Sequence, residues 1–278
     1  MRSALMCVVV MGLCLSACET NVPDENGNKS GVKDGAITKG VFSVAEGKQV
    51  RFSMGNLQYQ ASTKTWRFAS QQYEYIGDDN KNISDTYDGW IDLFGWGTGD
   101  NPTNTSINNE DYATFVDWGT NAISNGGNKP NQWRTLTSDE WEYIIGGRLN
   151  AKTLYSSAQI RINGNTTIVG MIILPDNWSS PKGIAFYSGM SGWTSNDYDI
   201  SQWTKLENAG AVFLPASGGR DGLHTSNMQN IGCCWSSTRD NDCMWAYGLS
   251  FGCTYLPTTK CGWIARISGA SVRVVQDM

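Results

Sequence analysis

Histidine is almost missing from this chain of 278 residues, where His224 stands alone. Imidazole is the side chain that titrates near neutral pH and the commonest metal ligand, so a single copy leaves little material for histidine-based proton transfer or metal binding. A basic surplus is lacking as well. Lys and Arg number 21 against 26 Asp and Glu, for a net charge of −5 and a pI near 4.9, which makes nucleic acid a poor partner because phosphates have no cationic excess to neutralise them. The apolar stretch Ala4 to Leu15 (ALMCVVVMGLCL) is too short for the roughly 20 residues that a membrane-spanning helix needs. Phosphate-binding loops, zinc-type Cys/His spacings and dinucleotide fingerprints are all absent. What the chain does have is 12 Trp, 11 Tyr and 31 Gly, with 40% hydrophobic and 17% charged residues. That describes an aromatic-pinned, loop-rich globular protein with material for one large or two small cores. The balance favours binding over catalysis.

The first residues form a separate object. Arg2 supplies a positive n-region and Ala4 to Leu15 an apolar h-region, the pattern of an exported precursor whose first segment, residues 1–17, is removed. Cleavage takes away only Arg2 among the charges, so the net charge moves from −5 to −6. From Glu19 to about Gly35 the chain (ETNVPDENGNKSGVKDG) is polar and nearly free of large apolar residues, so residues 18–39 are expected to be a solvated tether. A flexible chain of roughly 20 residues reaches about 25 Å. The folded domain is expected to span 40–278 without an internal break or a repeat of solenoid or propeller period.

Within it the pattern is α+β. Gln49 to Tyr59 alternates through Val50, Phe52 and Met54, and Thr65 to Ala69 is its expected hairpin partner. Residues 77 to 131 are rich in Gly, Asn and Asp with isolated Trp90, Trp96 and Trp118, which predicts turns held by aromatic side chains. Thr137-Ser138-Asp139-Glu140 is a capping box ahead of Trp141, Ile144 and Ile145, closed by Gly146-Gly147. Ser201 to Asn208 reads as a second short helix ended by Gly210, and Thr167 to Leu174, Ala211 to Leu214 and Ser271 to Val275 read as strands. Trp245, Tyr247, Leu249 and Phe251 share one face of a further strand.

Leu15-Ser16-Ala17-Cys18 resembles the bacterial lipobox, which implies that Cys18 carries the lipid of an outer-membrane, cell-surface lipoprotein. The ordered set Trp133 to Trp141 (WRTLTSDEW), Leu214 to Arg220 (LPASGGR), Trp235 to Thr238 (WSST) and Gly269 to Arg273 (GASVR) resembles a paralogous family of exported proteins in Bacteroidetes and Fibrobacter. The resemblance covers about residues 40–278. It implies a C-type lectin-like fold with short helices, small antiparallel sheets and long Gly/Asn/Trp-rich loops, shared with formylglycine-generating enzymes and with the variable target proteins of diversity-generating retroelements. That fold hosts unrelated activities, so function has to come from the site.

The cysteines are distributed unevenly. Beyond Cys7, Cys14 and Cys18, the remaining five, Cys233, Cys234, Cys243, Cys253 and Cys261, all lie in one C-terminal segment. An odd number leaves at least one thiol unpaired in a monomer. One reading is a disulfide cluster, ordinary in an exported protein, although vicinal Cys233-Cys234 cannot bridge to itself without strain. The other follows from the resemblance: in retroelement targets, adenines of asparagine codons are replaced at random, and cysteine is one of the outcomes. On that reading 233–270 is a variable segment in which scaffold positions (Trp235, Ser236, Ser237, Thr238, Leu249, Phe251) alternate with payload; Met244 and the tryptophans are not reachable from asparagine codons.

The surface expected from this reading is solvent-facing and binds a protein or a glycan. Its candidate residues are Cys233, Cys234, Arg239, Asn241, Asp242, Cys243, Met244, Trp245, Tyr247, Cys253, Tyr255, Leu256, Lys260, Cys261, Trp263 and Arg266. The aromatics would anchor, and Arg239, Asp242, Lys260 and Arg266 would set polarity. No cofactor is expected. Asn241-Asp242 resembles the calcium-ligating Trp-Asn-Asp element of sugar-binding lectins, but Asp240 stands where Trp belongs and the companion Glu-Pro-Asn-type loop is not found. Two alternatives stand beside this reading: a non-variable adhesin or glycan-binding module, and an enzyme of the formylglycine-generating type using a pair such as Cys233-Cys234. His224 beside Asp221, with Ser217 or Ser226, can be drawn as part of a triad, but no nucleophile elbow is present.

Overall fold

Short apolar runs separated by Gly, Asn and Asp can pair only with near neighbours or with distant short strands, and the computed structural model shows both. It describes residues 31–242, 244–257 and 261–278, and of Trp263 the backbone alone. The signal segment, Cys18, most of the expected tether, Cys243 and Lys260 lie outside the described residues. The elements in chain order are β1 (Val32–Lys33), β2 (Ala36–Ile37), β3 (Phe42–Ala45), β4 (Lys48–Phe52), β5 (Leu57–Gln60), β6 (Thr65–Phe68), α1 (Ser138–Glu142), β7 (Tyr155–Asn163), β8 (Thr166–Ile173), β9 (Asp197–Asp199), α2 (Ile200–Asn208), β10 (Val212–Pro215), β11 (Gly219–Asp221), β12 (His224–Ser226), β13 (Ile231–Arg239), β14 (Trp245–Gly252), β15 (Gly262–Ala265) and β16 (Val275–Asp277). The protein is α+β, with mostly antiparallel small sheets: β10-β8-β7-β9, in which only β7 and β9 run parallel, β13-β14-β15, β16-β4-β3, and three two-stranded pairs.

Both helices start as their sequences require. The Thr137 hydroxyl accepts from the Glu140 amide while the Glu140 carboxylate accepts from the Thr137 amide, and Asp199 and Gln202 do the same for α2. The first helix widens into a π-type turn over Tyr143–Gly147, so the stop at Gly146-Gly147 is where the sequence puts it.

Two expectations about the N-terminal part need correction. The strand expected over 49–59 is two strands: β4 pairs with β3 and β16, and only β5 forms the hairpin with β6. The break falls at Gly55, where a Cβ would lie 2.4 Å from the Ala69 carbonyl oxygen; only glycine lets the two backbones approach so closely. Residues 272 and 274 thread this gap, accepting from the amides of Leu57 (2.9 Å) and Ser53 (3.0 Å). The terminal strand is therefore displaced, with single bridges over 270–271 and pairing to β4 only from Val275. The tether, in turn, cannot extend to residue 39. Residues 32–37 form a hairpin that packs on the domain with Ala36 and Ile37 buried, and the Met54 amide donates to the Gly35 carbonyl at 2.8 Å.

Three apolar clusters fill the interior. The first joins β3, β4, α1, β8, β10 and β14 through Phe42, Phe52, Trp141, Met171, Leu214 and Phe251. The second gathers Trp66, Phe94, Trp96, Trp118, Trp133, Trp235 and Val272 under the long loops. The third lies on the other face of the four-stranded sheet against α2, with Ile160, Ile172, Trp203 and Phe213. The loop tryptophans act as the composition implies: Trp96 and Trp118 are buried, and the Trp96 indole donates to the Ser236 carbonyl at 3.0 Å. Trp90 instead lies half-buried, with the Arg67 guanidinium 3.6 Å from its ring centre.

The four sequence motifs meet in space. The Ser217 and Ser271 hydroxyls are 2.7 Å apart. Arg134 holds both Glu140 and Asp277 at 2.7 Å. Arg220 donates to the carbonyls of Leu93, Gly222 and Asn104, each at 2.9 Å, and buried Arg273 donates to those of Ser53 and Phe213. These residues fasten the framework.

Candidate functional site

Strand β14 is central to the C-terminal sheet, and the register decides what each residue can do. Directly opposed residues share a face, and the pairs are Cys234 with Leu249, Cys233 with Ser250, Tyr247 with Trp263 and Ala246 with Ile264. One face therefore carries Cys234, Leu249 and Phe251 into the first core. The other carries Trp235 and Ala246 into the second, with Cys233 and Ile264 packed at its margin. The sheet is clamped between two cores in its middle and opens to solvent at its ends.

At one end the β13–β14 turn is exposed. Tyr247 donates from its hydroxyl to the Asp240 carboxylate at 2.9 Å, the Asp242 carboxylate accepts from the Met244 amide at 2.9 Å, and Arg239 donates to the Ala113 carbonyl at 3.5 Å. Ala113 lines an acidic cleft of about 410 Å³ with Asp100, Glu110 and Asp111. The bulge at 236–238 is tied down: the Ser237 amide donates to the Leu136 carbonyl, and the Thr238 hydroxyl accepts from the Ser138 amide, both at 2.9 Å. Arg239, Asn241, Asp242 and Met244 are exposed there, with Trp245 and Tyr247 half-buried beside them.

At the other end, Ser250 bonds Tyr255 (3.0 Å) and accepts from the Cys233 thiol (3.6 Å), while Cys253 donates to Asn230 at 3.2 Å. The Tyr255 ring lies over Gly252, where a Cβ would sit 2.4 Å from it. Tyr255 is 40% exposed and Cys253 is also exposed. Burial raises the Tyr255 hydroxyl above its ordinary pKa, partly offset by Ser250.

The candidate residues thus fall into two groups, with exceptions. Cys234 and Arg266 do not belong to any solvent-facing surface. Cys234 is 2% exposed, and burial pushes its thiol up to about 12. Arg266 is buried with its guanidinium donating to the Tyr112 carbonyl and lying 6.0 Å from the Trp96 ring centre, so it holds the 96–116 loop instead. Leu256 and Cys261 are half-buried against the first core. The Cys261 amide donates to Glu142, and its thiol is pushed up to about 12 by burial and by the nearby Glu142 and Asp139 carboxylates.

Cys233, Cys234, Cys253 and Cys261 are free thiols. Being adjacent on a strand, Cys233 and Cys234 point to opposite faces and cannot meet one substrate together. Burial also raises the Cys233 thiol, with Ser250 opposing the shift. At Cys234 the nearby Arg273 guanidinium pulls the other way, but burial outweighs it, so both thiols are held protonated. Ser217 is buried with its hydroxyl on Ser271, while His224 is exposed. Among the described residues no group of three or more His, Cys, Asp or Glu converges on a metal position, and no helix is long and apolar enough to cross a membrane.

Two features have no counterpart in the expectations. Hairpin β11–β12 forms with β13 and β15 a cavity of about 240 Å³, and its two-residue turn is Gly222-Leu223, with glycine at the first position where φ is positive. Asp92 is a fully buried carboxylate with no cationic partner among the described residues, held by the Ile76 amide and the Asn80 side chain, each at 2.9 Å. No protein-family model matches this chain, and no curated protein and no solved structure matches it either.

Proposed function

We propose that the chain is an exported lipoprotein, anchored through Cys18 to the outer membrane and displayed at the cell surface, with a C-type lectin-like domain. Its C-terminal segment presents a ligand-binding surface for a protein or a glycan, similar to those of retroelement target proteins. The observation that carries this reading is the division of labour along 231–255. Trp235, Ala246, Leu249 and Phe251 are at most 2% exposed, while Arg239, Asn241, Asp242, Met244, Cys253 and Tyr255 from the same stretch face solvent. Exposed positions on a clamped framework can change without loss of the fold, which is what a diversified surface requires. The binding surface is narrower than the sequence implies, because it excludes Cys234 and Arg266.

The test lies in the gene's surroundings. A near-copy of the 233–270 coding segment, differing only where the copy has adenine and lying beside a reverse transcriptase gene, is the expected finding. A locus without such a copy, invariant across a sequenced cell population, would refute diversification. The fixed binding module would then be the reading left, and a glycan array probed with and without chelator would test it.

A further inference from the structure

The cavity between hairpin β11–β12 and strands β13 and β15 has a lining that selects for one kind of group. Its apolar wall is Ile231, Cys233, Ile264 and Ala270, and its polar side is Asp221, Ser226, Asn227 and Ser268, the first three of them exposed. Ala270 is buried and the other three wall residues are half-buried. Arg220 also lines it, with its guanidinium turned to three carbonyls through Nε, Nη1 and Nη2. A Cβ on Gly269 would lie 2.4 Å from the Arg220 Cγ, so the aliphatic stem of that arginine is what packs against this part of the wall. The Asp221 carboxylate accepts from the Ser268 hydroxyl at 3.3 Å across the rim.

The size is equally restrictive. About 240 Å³ is below the roughly 300–1,000 Å³ of ordinary small-molecule sites and above the roughly 150 Å³ that holds a benzene ring in a dry apolar cavity. One ring or one branched aliphatic group fits inside it, and the rest of a larger ligand would have to lie outside.

The hairpin that walls the cavity also carries an apolar tip. Leu223 is 53% exposed and Ile107 is 76% exposed, and Ile107 adjoins the hairpin turn, since a Cβ on Gly222 would lie 3.6 Å from an Ile107 side-chain carbon. Exposed apolar side chains beside an apolar-floored, polar-rimmed cavity make the arrangement of an interface hot spot, where a single anchor is buried and its surroundings exclude water.

We propose that this cavity is the anchoring subsite of the C-terminal surface, taking one uncharged aromatic or branched aliphatic side chain of a protein ligand, with Ile107 and Leu223 covered by the same partner. The inference rests on reading this surface as a ligand-binding one; it does not depend on diversification. Residues 233 and 264 set the depth of the cavity, so a change at either alters which side chain fits.

Indole is the direct probe, with methyl glucoside as the polar comparator, read from the methyl resonances of Ile231 and Ile264. Indole should shift both methyls, and methyl glucoside neither. Cys233→Leu fills the cavity floor and should weaken indole binding at least tenfold. Ser268→Trp, which obstructs the rim, serves where Cys233→Leu lowers the yield of folded protein. The inference fails if indole leaves both methyls unmoved, if both variants bind it as tightly as the parent, or if methyl glucoside shifts the methyls instead.

A second arm separates a protein side chain from a free small molecule. Random peptides displayed on phage and selected on the parent protein should converge on one Trp, Phe, Leu or Ile. Their capture should drop at least tenfold on Leu223→Asp, which still binds indole. Selection of charged peptides, or equal capture by Leu223→Asp, overturns the protein-anchor assignment. Both variants leave the 239–244 turn untouched, so a ligand bound only at that turn would sink the cavity proposal and spare the binding surface. Failure to find a template copy would leave the cavity result standing.

Discussion

Asp92 gives the sharpest handle on the energetics. Its carboxylate is completely buried, and desolvation drives its pKa from 3.8 to about 6, against the opposing pull of the hydrogen bonds from Asn80 and the Ile76 amide. A folded-state pKa above the unfolded one means that the native protein binds the proton more tightly. The associated stability is therefore fully present below about pH 3.8 and is lost as pH rises through 6. A shift of about two pH units at 1.36 kcal/mol each corresponds to about 3 kcal/mol. In Asp92→Asn this pH-dependent part disappears, while the loss of a carboxylate oxygen in front of one of its two donors adds a pH-independent cost of about 1–3 kcal/mol. The informative quantity is thus the slope rather than the offset. Urea unfolding between pH 4 and 7.5 should show the wild type losing about 2.4 kcal/mol more than Asp92→Asn over that interval, because pH 4 already lies above the unfolded pKa. The Arg134–Asp277 pair works in the other sense: Arg134 lowers the Asp277 pKa, so its contribution is lost at still lower pH, and it cancels between the two proteins. Parallel stability curves for wild type and variant would refute the account of Asp92 as a buried, titrating charge.

The framework and the display positions should separate cleanly by calorimetry. Leu249→Ala is expected to cost about 2–5 kcal/mol through the cavity it leaves, whereas Met244→Ala and Asn241→Ala should stay within about 0.5 kcal/mol of the parent. Thr137→Ala removes the cap of α1 and should cost about 1 kcal/mol, read as a lower urea midpoint at unchanged slope. Thiol labelling of the native protein, mapped by peptide mass, should modify exposed Cys253 first and reach Cys234 only on unfolding; early labelling of Cys234 would contradict its place in the first core.

What was legible in the sequence is what short-range chemistry determines. Thr137 with Glu140 sets a helix start whatever surrounds it, and the apolar run within Thr167 to Leu174 makes a strand, Thr166–Ile173, that is buried over its second half. The errors lie where the partner is far away in the chain. The break at Gly55 depends on Ala69 and on residues 272–274 passing between β4 and β5, and no local pattern announces a distant backbone crossing. Likewise, polar composition over 18–39 suggests solvation throughout, yet Ala36 and Ile37 are enough to dock a hairpin. In the candidate site, Arg266 reads as a surface charge because arginine usually is one. Its burial follows from the Tyr112 carbonyl and the Trp96 ring, which belong to a loop more than a hundred residues earlier. Strand alternation at Cys233-Cys234 was available from the sequence and already separates the two thiols; which of the faces would be covered was not.

That separation also bears on how such a sheet can carry a function. A sheet with one face on a core exposes every second residue along its whole length, and a binding surface built on it would be a flat row. Here β14 is covered on both faces at its centre, by Leu249 and Phe251 on one side and Ala246 on the other, so exposure is confined to its ends. At those ends the side chains stand on backbone held by other means: the 236–238 bulge by α1 beside the turn, and Tyr255 by the Gly252 backbone and the Ser250 hydroxyl at the other end. Side chains there are presented from backbone that is already rigid, which lowers the ordering cost of engaging a partner. A clamped middle with open ends therefore makes two compact recognition patches, and the chemistry at each is set by a handful of side chains that the fold does not need.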